Sequence, residues 1–481
     1  MGFLNLLKKE TENAVAAKEA GKTVDPAQVA SQLTGVSPTQ EGNQGAGQST
    51  QAQTQTTPEQ AALQNPLTPQ PLTSTPPAAQ PAPNPEVASA DNLNEDSIPV
   101  IVDDIFQQAM AQKASDIHFK PTETLFSVFF RVDGSMIRYK DFDVLFHHPL
   151  VARIKIISGL RIDEHRLPQD GKTNYKSPEG KEVDLRVSVL PTQYGEKVVI
   201  RLLEKNPQRV ELRDLGMLPN ILLKIEKHLQ ATYGMILTVG PTGSGKSTSL
   251  FSMVSQFDAQ SLNISTLEDP IEYKIPNATQ TQVNKEIGFD FSDGLRTLVR
   301  QDPDIIMVGE IRDQKTAALA IESALTGHLV FSTLHTNTAV GTIQRLLNMD
   351  IDRFLITAAV KLIISQRLVR KICSHCRQAY KVPQKYYDLI KKETTVDPAN
   401  AFFYKAEGCA VCNNTGHKGR IGLFEVLEMS SAIEELIIGN AAHSEIEAQA
   451  VQEGMILLRK DALYKALTGD ITLQEALRAM A

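Results

Sequence analysis

One octapeptide of the 481-residue chain is dense in chemistry: Gly240, Pro241, Thr242, Gly243, Ser244, Gly245, Lys246 and Ser247. Glycines ahead of a Lys-Ser pair at this spacing form the phosphate-cradling P-loop pattern. The glycines let successive backbone N–H groups close around phosphate oxygens, and a helix starting near Lys246 adds the positive end of its dipole. Lys246 is then placed to reach the β and γ phosphates of a nucleoside triphosphate and Ser247 to ligate magnesium, with Thr248 closing the nucleotide-binding run. ATP and Mg2+ are the cofactors to expect.

Two acidic stretches follow, Thr-Leu-Glu-Asp-Pro-Ile-Glu-Tyr over 266–273 and Met-Val-Gly-Glu-Ile-Arg-Asp over 307–313. Many P-loop enzymes carry an aspartate where Gly309 stands here. Glu310 is therefore the carboxylate best placed to polarise an attacking water or the magnesium shell, with Glu268 its competitor. Each could also be a solvated carboxylate at a strand end, and Asp269 and Glu272 read equally well as loop caps or magnesium contacts. His335 is a candidate γ-phosphate sensor, while His328 is either a sensor or a structural residue. Arg296 and Arg300 lie four apart in a helical stretch and share a face, expected to point toward the same site as phosphate sensors or to form an interface ion pair.

All four cysteines, Cys373, Cys376, Cys409 and Cys412, fall in two CxxC pairs separated by 32 residues. In a reducing compartment such pairs are better read as metal ligands than as disulfides, and four thiolates suit tetrahedral Zn2+, with a redox dithiol the alternative. Arg367, Arg370, Lys371 and Arg377 surround them. A basic cluster is usually a solvated face, and no aromatic interleaves this one as single-strand nucleic-acid binding would require.

The elements that must position these groups are legible from periodicity. Downstream of 219, helical segments alternate with apolar strands at 235–239, 263–267, 305–308 and 329–333, the pattern of a helix-covered, mostly parallel sheet. Ligands in such sheets bind beyond the carboxyl ends of the strands, so the four exits, at Lys246, Glu268, Glu310 and His335, should converge. Upstream, 125–132 and 183–189 alternate with the strand period, while 98–110 and 149–158 have helical spacing. Val183, Leu185, Val187 and Val189 then face inward, which presents Arg186 on the open face.

The first 20 residues place Phe3, Leu6, Leu7 and Ala14 at helical spacing. Between 21 and 97 there is no aromatic and no isoleucine, and 11 of the 25 prolines fall there, a composition that cannot offset its ordering entropy. The expected organisation is an amphipathic docking helix over 1–20 and a disordered linker over 21–97, then a small α+β domain over 98–205 and a connector over 206–218. A nucleotide-binding core over 219–365, a four-cysteine module over 366–425 and a helical subdomain over 426–481 complete it. With 49 Lys plus Arg against 56 Asp plus Glu, the net charge of −7 supplies no global field to recruit nucleic acid. The most apolar run, 354–365, is too short for a membrane span and is interrupted by Lys361. The apolar stretch 3–7 precedes Lys8 and Lys9, the reverse of a signal peptide, so a cytosolic address is expected.

From about residue 98 onward the chain resembles the ATPases of type II secretion and type IV pilus assembly, the GspE/PilB group. The matching elements, in order, are Ala114-Ser-Asp-Ile-His118, Arg131-Val-Asp-Gly134, Arg166-Leu-Pro-Gln-Asp-Gly171, the P-loop, the acidic box at 266–273, the segment 305–313 and the histidine box 326–337. The resemblance implies an α/β fold in which a RecA-like P-loop ATPase domain follows a small α+β, PAS-like domain. It implies a homohexameric ring that works on an inner-membrane platform protein from the cytoplasmic side. Arginines of the smaller domain approach the phosphates in that family, and by motif these are Arg186 and Arg201, with Arg131 a further candidate. The four-cysteine module, and the lack of an Ala-Ile-Arg-Asn-Leu-Ile-Arg segment, are similar to assembly rather than retraction ATPases. The globular docking domain of many assembly ATPases has no counterpart, so residues 3–17 are the expected contact with the platform or the membrane surface. Pilus retraction, nucleic-acid translocation and nucleotide binding without turnover are the competing functions, and no nucleic-acid partner is expected.

Overall fold

The computed structural model describes residues 87–88, 97–204 and 210–480. The helix expected over 1–20 lies outside the described residues, as do most of the linker expected over 21–97 and the first part of the connector expected over 206–218. One piece of the expected linker is ordered: β1 (Val87–Ala88) pairs in parallel with β4 (Ser135–Asp143), whose edge offers unpaired backbone groups to any extended neighbour.

Residues 97–204 build α1 (Ser97–Ala111), β2 (Asp116–Pro121), β3 (Leu125–Val132), β4, α2 (His147–Ile157), β5 (Gln169–Lys176), β6 (Glu182–Thr192) and β7 (Gly195–Glu204). The seven strands run in the order β1-β4-β3-β2-β7-β6-β5. Neighbours are antiparallel apart from the β1–β4 pair. One face is packed: Val183, Leu185, Val187 and Val189 are buried with Phe119, Phe126 and Phe130 beneath the apolar faces of both helices. The other face carries polar side chains, as alternation in an antiparallel sheet with one solvated side requires.

In the larger part, α3 (Pro219–His228) leads into β8 (Gly234–Val239), α4 (Lys246–Val254), β9 (Ile264–Glu268), β10 (Thr279–Gln282), α5 (Phe291–Leu298) and β11 (Ile305–Val308). Next come α6 (Gln314–Leu325), β12 (Leu329–Leu334), α7 (Ala339–Leu347), α8 (Arg353–Ala359) and β13 (Val360–Ile372). The second seven-stranded sheet has the order β10-β9-β11-β12-β8-β13-β16, with β16 (His417–Glu428) antiparallel to β13 and every other pair parallel. Every residue of β8, β9, β11 and β12 is buried, as expected of parallel strands covered on both sides.

The apolar run 354–365 divides between α8 and β13, and among the described residues no helix is long and apolar enough to cross a membrane. Strands β13 and β16 run unbroken through the boundaries expected at 365/366 and 425/426. The cysteine-bearing segment therefore grows from the free end of two strands of the core sheet, with β14 (Arg377–Lys381) and β15 (Phe402–Ala406) pairing there. Helices α9 (Tyr387–Glu393), α10 (Ser431–Ile438), α11 (His443–Gln452), α12 (Leu458–Thr468) and α13 (Leu473–Met480) complete the chain. Buried carboxylates of this region bond to backbone. Asp461 accepts the Phe424 N–H at 2.8 Å and Lys465 Nζ at 2.6 Å, which fastens α12 to β16. Glu425 accepts the N–H of Ala339, first residue of α7, at 2.8 Å and that of Leu458, first residue of α12, at 3.3 Å. Burial pushes the Glu425 carboxyl up from its ordinary value despite both donors.

Candidate nucleotide-binding site

The P-loop joins β8 to α4 with Gly240 at φ 151°, Gly243 at 78° and Gly245 at 86°, conformations that side chains rarely adopt. A Cβ on Gly240 would collide with the Gln366 carbonyl oxygen, so this glycine also permits a close approach of β13. Gln366 in turn donates Nε2 to the Ser244 carbonyl at 2.7 Å and braces the loop from behind. Lys246 Nζ bridges the loop, donating to Gly240 O at 2.9 Å and Pro241 O at 3.1 Å. Its burial lowers its pKa, against the pull of the Glu310 and Glu272 carboxylates nearby.

The other three strand exits come to the same edge. Gly309 donates its N–H to Leu267 O at 2.8 Å, and a Cβ there would lie 3.3 Å from that oxygen, which brings the β9 and β11 exits into contact. Glu310 pairs with Arg312, and His335 Nε2 lies 3.3 Å from its second oxygen. Glu268 differs in kind: it is buried, and its partners are neutral, Thr266 Oγ1 at 2.7 Å and Gln280 Nε2 at 2.9 Å. Burial therefore raises the Glu268 carboxyl. Asp269 is engaged by Lys285 at 2.7 Å, and Thr248 Oγ1 lies 3.0 Å from the Tyr273 hydroxyl.

From the N-terminal sheet, the β3–β4 turn, Asp133, Gly134 and Ser135, meets Pro241, Thr242, Gly243 and Ser244 across a pocket of about 310 Å3. Arg367, Arg370, Arg420 and Arg478 also line it. Arg186 and Arg201 stand elsewhere. They are direct cross-strand partners on β6 and β7, and Arg201 Nε donates to Asp116 Oδ1 on β2 at 2.9 Å, while Arg131 approaches the other oxygen at 3.7 Å. Arg186 and Arg201 line a second cleft of about 460 Å3 with Lys172 and Glu286.

The four cysteines are free thiols whose sulfurs lie within 4.8 Å of one another. Three separations are 3.9 Å for Cys373–Cys409, 3.9 Å for Cys376–Cys412 and 3.7 Å for Cys409–Cys412. Tetrahedral Zn–S bonds of about 2.3 Å give edges of about 3.8 Å, so the donor set fits zinc, and the separations are too long for disulfides. Burial pushes the Cys376 thiol up to about 12; at Cys412 it is outweighed by N–H donors of Cys409 and Gly416, which hold that thiol down to about 6. Such a cluster favours a bound cation that lets all four sulfurs ionise.

With this geometry in place, comparison with protein families matches residues 91–478 to the model described as Type II/IV secretion system protein. The chain belongs to that family. It is 43% identical over 386 residues to the type IV pilus assembly ATPase PilB of Myxococcus xanthus, covering 79% of this chain and 68% of that protein. It is 41% identical over 394 residues to the type II secretion system ATPase E of Vibrio cholerae, covering 80% and 76%. Among solved structures, the pilus retraction motor PilT with bound ADP superposes with a TM-score of 0.52 at 26% identity, over 79% of this chain and 96% of that one.

In this type II/IV secretion family chain the four expected strand exits do meet, but Arg296, Arg300 and His328 do not join them. A crossover helix returns antiparallel to the strands, so its last turn lies at the opposite edge. Arg296 pairs there with Asp293 at 3.2 Å and Arg300 donates to Arg296 O at 2.8 Å, beside Gln301 and Asp302, whose carbonyls hold Asn263 at the start of β9. His328 Nδ1 lies 2.9 Å from Ser323 O at the start of β12. Sequence reasoning also missed that Arg367 and Arg370 line the pocket at the P-loop. The signal was the length of the apolar run into β13: Ser365 pairs with Val239, so the residues after it must pass alongside the P-loop.

Proposed function

We propose that this chain is an ATP-hydrolysing motor, working as a homohexamer, that powers assembly of a type IV pilus or a type II secretion pseudopilus from the cytoplasmic face of the inner membrane. The observation that carries the reading is the convergence of Lys246, Glu268, Glu310 and His335 at one sheet edge, in a chain about 40% identical to assembly and secretion ATPases across most of its length. The P-loop residues 240–248 hold the triphosphate, with Lys246 swinging from its carbonyl partners to the β and γ phosphates. Ser247 holds Mg2+, which neutralises charge on those phosphates when bound. Glu268 accepts a proton from the water that attacks the γ-phosphorus as the bond to the ADP oxygen breaks; its raised pKa and neutral partners suit a base. Glu310 fixes Arg312 and His335 around the departing phosphate, and Arg186 and Arg201 add cations as the two sheets close. Cys373, Cys376, Cys409 and Cys412 hold a structural Zn2+.

The product of turnover is work on a platform protein that lifts pilin or pseudopilin subunits. Residues 1–20 dock the motor to that platform or to the membrane surface, and the stretch from 21 to the start of β1 at Val87 tethers it. Surface filaments counted by electron microscopy in a strain carrying Lys246→Ala test the reading. Loss of filaments is expected. Excess filaments would mean retraction, and unchanged filaments would point to secretion of soluble cargo or to nucleic-acid translocation. Deleting residues 1–20 should release the protein from the membrane fraction.

A further inference from the structure

The cysteine cluster and the P-loop pocket are joined by two strands with one irregularity between them. Along β13 and β16, Arg370 pairs with Arg420 and Ile372 with His417, so Lys418 and Gly419 together oppose Lys371. This is a β-bulge with glycine in the left-handed region, Gly419 at φ 77°, which frees an N–H from the ladder and redirects it. The freed Gly419 N–H donates to Asp133 Oδ2 in the β3–β4 turn at 2.7 Å. On the facing strand, Arg370 donates to Ser135 Oγ of the same turn at 3.1 Å. Arg370 is held for this by Glu475, which accepts its Nε at 3.1 Å, its terminal nitrogen at 2.6 Å and its backbone N–H at 3.1 Å.

Just past the bulge the cysteines close the two strands together. Cys373 follows β13 directly, its N–H donates to Gly416 O at 3.0 Å, and its sulfur meets that of Cys409 from the segment entering β16. The bulge is thus bounded by the core sheet on one side and the four sulfurs on the other. Both of its projecting donors end on the turn that meets Pro241–Ser244 across the pocket.

We propose that the four-cysteine cluster is a positioning element for the nucleotide cleft: loaded with metal, it sets the register of β13 against β16 and so holds Gly419 and Arg370 on the Asp133–Ser135 turn beside the P-loop. This rests on reading the P-loop as a nucleotide site and the cysteines as a zinc site. Because coupling between two sites is reciprocal, zinc tightens nucleotide binding by the same factor by which nucleotide tightens zinc binding. Asp133, at φ 48°, is the residue to change, since asparagine tolerates that conformation and keeps an oxygen to accept the Gly419 N–H, whereas alanine does not.

The test uses the full chain and needs no turnover. ADP affinity is measured by fluorescence titration of the zinc-loaded and zinc-stripped protein, and zinc affinity by competition with a chromophoric chelator with and without ADP. The wild type should show roughly tenfold coupling in both directions, within the usual range for coupled sites. Asp133→Ala should cut both factors to about twofold or less, and Asp133→Asn should restore them. Ser135→Ala, which removes only the Arg370 contact, should fall between and gives a second reading if Asp133→Ala fails to fold. The competition arm reads coupling even if the stripped chain loosens. Coupling as strong in Asp133→Ala as in the wild type, or none in the wild type, would overturn the proposal. ADP affinity indifferent to Lys246→Ala, or zinc content indifferent to Cys412→Ser, would instead remove the reading beneath it, and the proposal with it.

Discussion

The two seven-stranded sheets use their residues by different rules. In the N-terminal sheet burial alternates along β6, so function is written on a face: Lys172, Arg186, Arg201, Asp116 and Arg131 are successive cross-strand partners in one row over five strands. In the core sheet β8, β9, β11 and β12 are buried throughout, and chemistry is confined to one edge, in the last residue of a strand or in the loop that follows it. A row on a face is partly redundant, because Lys172, Arg186 and Arg201 are adjacent cations and Asp116 is shared by Arg201 and Arg131. An edge is less so, because β8, β9, β11 and β12 each deliver one group in a different setting.

That difference sets an order of effects. Lys246→Ala should be the most damaging change, with ATP turnover down by about 1,000-fold or more and nucleotide affinity reduced with it. Glu268→Gln should lower kcat by about 100- to 10,000-fold while leaving ADP affinity within a few-fold. It should also abolish an acid limb of the kcat–pH profile lying above the ordinary carboxylate range, since burial raises this group. The same substitution should raise the melting temperature. A carboxyl whose folded pKa lies above its unfolded one loses stability as pH rises between the two, and the amide carries no such charge. An unchanged acid limb would move the base to Glu310.

On the face, Arg186→Ala and Arg201→Ala should each cost only about 10- to 100-fold in kcat, and the double variant less than the product, as expected for neighbours in one row. Losses as large as that of Lys246→Ala would erase the distinction between face and edge. The smallest effect belongs to Glu428, at the end of β16 away from both sites. His228 at 3.0 Å and Lys227 at 2.6 Å hold its carboxyl down to about 2. Its contribution is complete above the ordinary value of 4.5 and is lost as pH falls through about 2. Glu428→Gln should destabilise the chain by about 1 kcal/mol at pH 7, progressively less below 4.5, with turnover unchanged.

Much of this was legible in the residues because it is local. The P-loop carries its own conformational requirements in Gly240, Gly243 and Gly245, and β8, β9, β11 and β12 betray themselves as short apolar runs, legible to within about a residue, whereas β10, β13 and β16 of the same sheet are not. What escaped depends on chain direction and on distant partners. Arg296 and His328 have the right chemistry, but a helix that must return antiparallel leaves them at the wrong edge. Arg367 and Arg370 were read with the cysteines because they precede Cys373 in sequence; only the pairing of β13 with β8 shows that they also border the P-loop. Arg186 was correctly placed on the open face, yet no pattern within β6 could reveal that Glu286 shares its cleft.

The carboxylate of Glu425 touches two stretches that lie more than a hundred residues apart, the entry to α7 just beyond His335 and the entry to α12. For anyone building chimaeras from secretion ATPases, this makes the C-terminal helices a poor unit of exchange. A crossover placed between 425 and 458 would set a native carboxylate against a foreign helix start, and the mismatch would be felt at His335. Residues 339, 425 and 458 have to be transplanted together or left together.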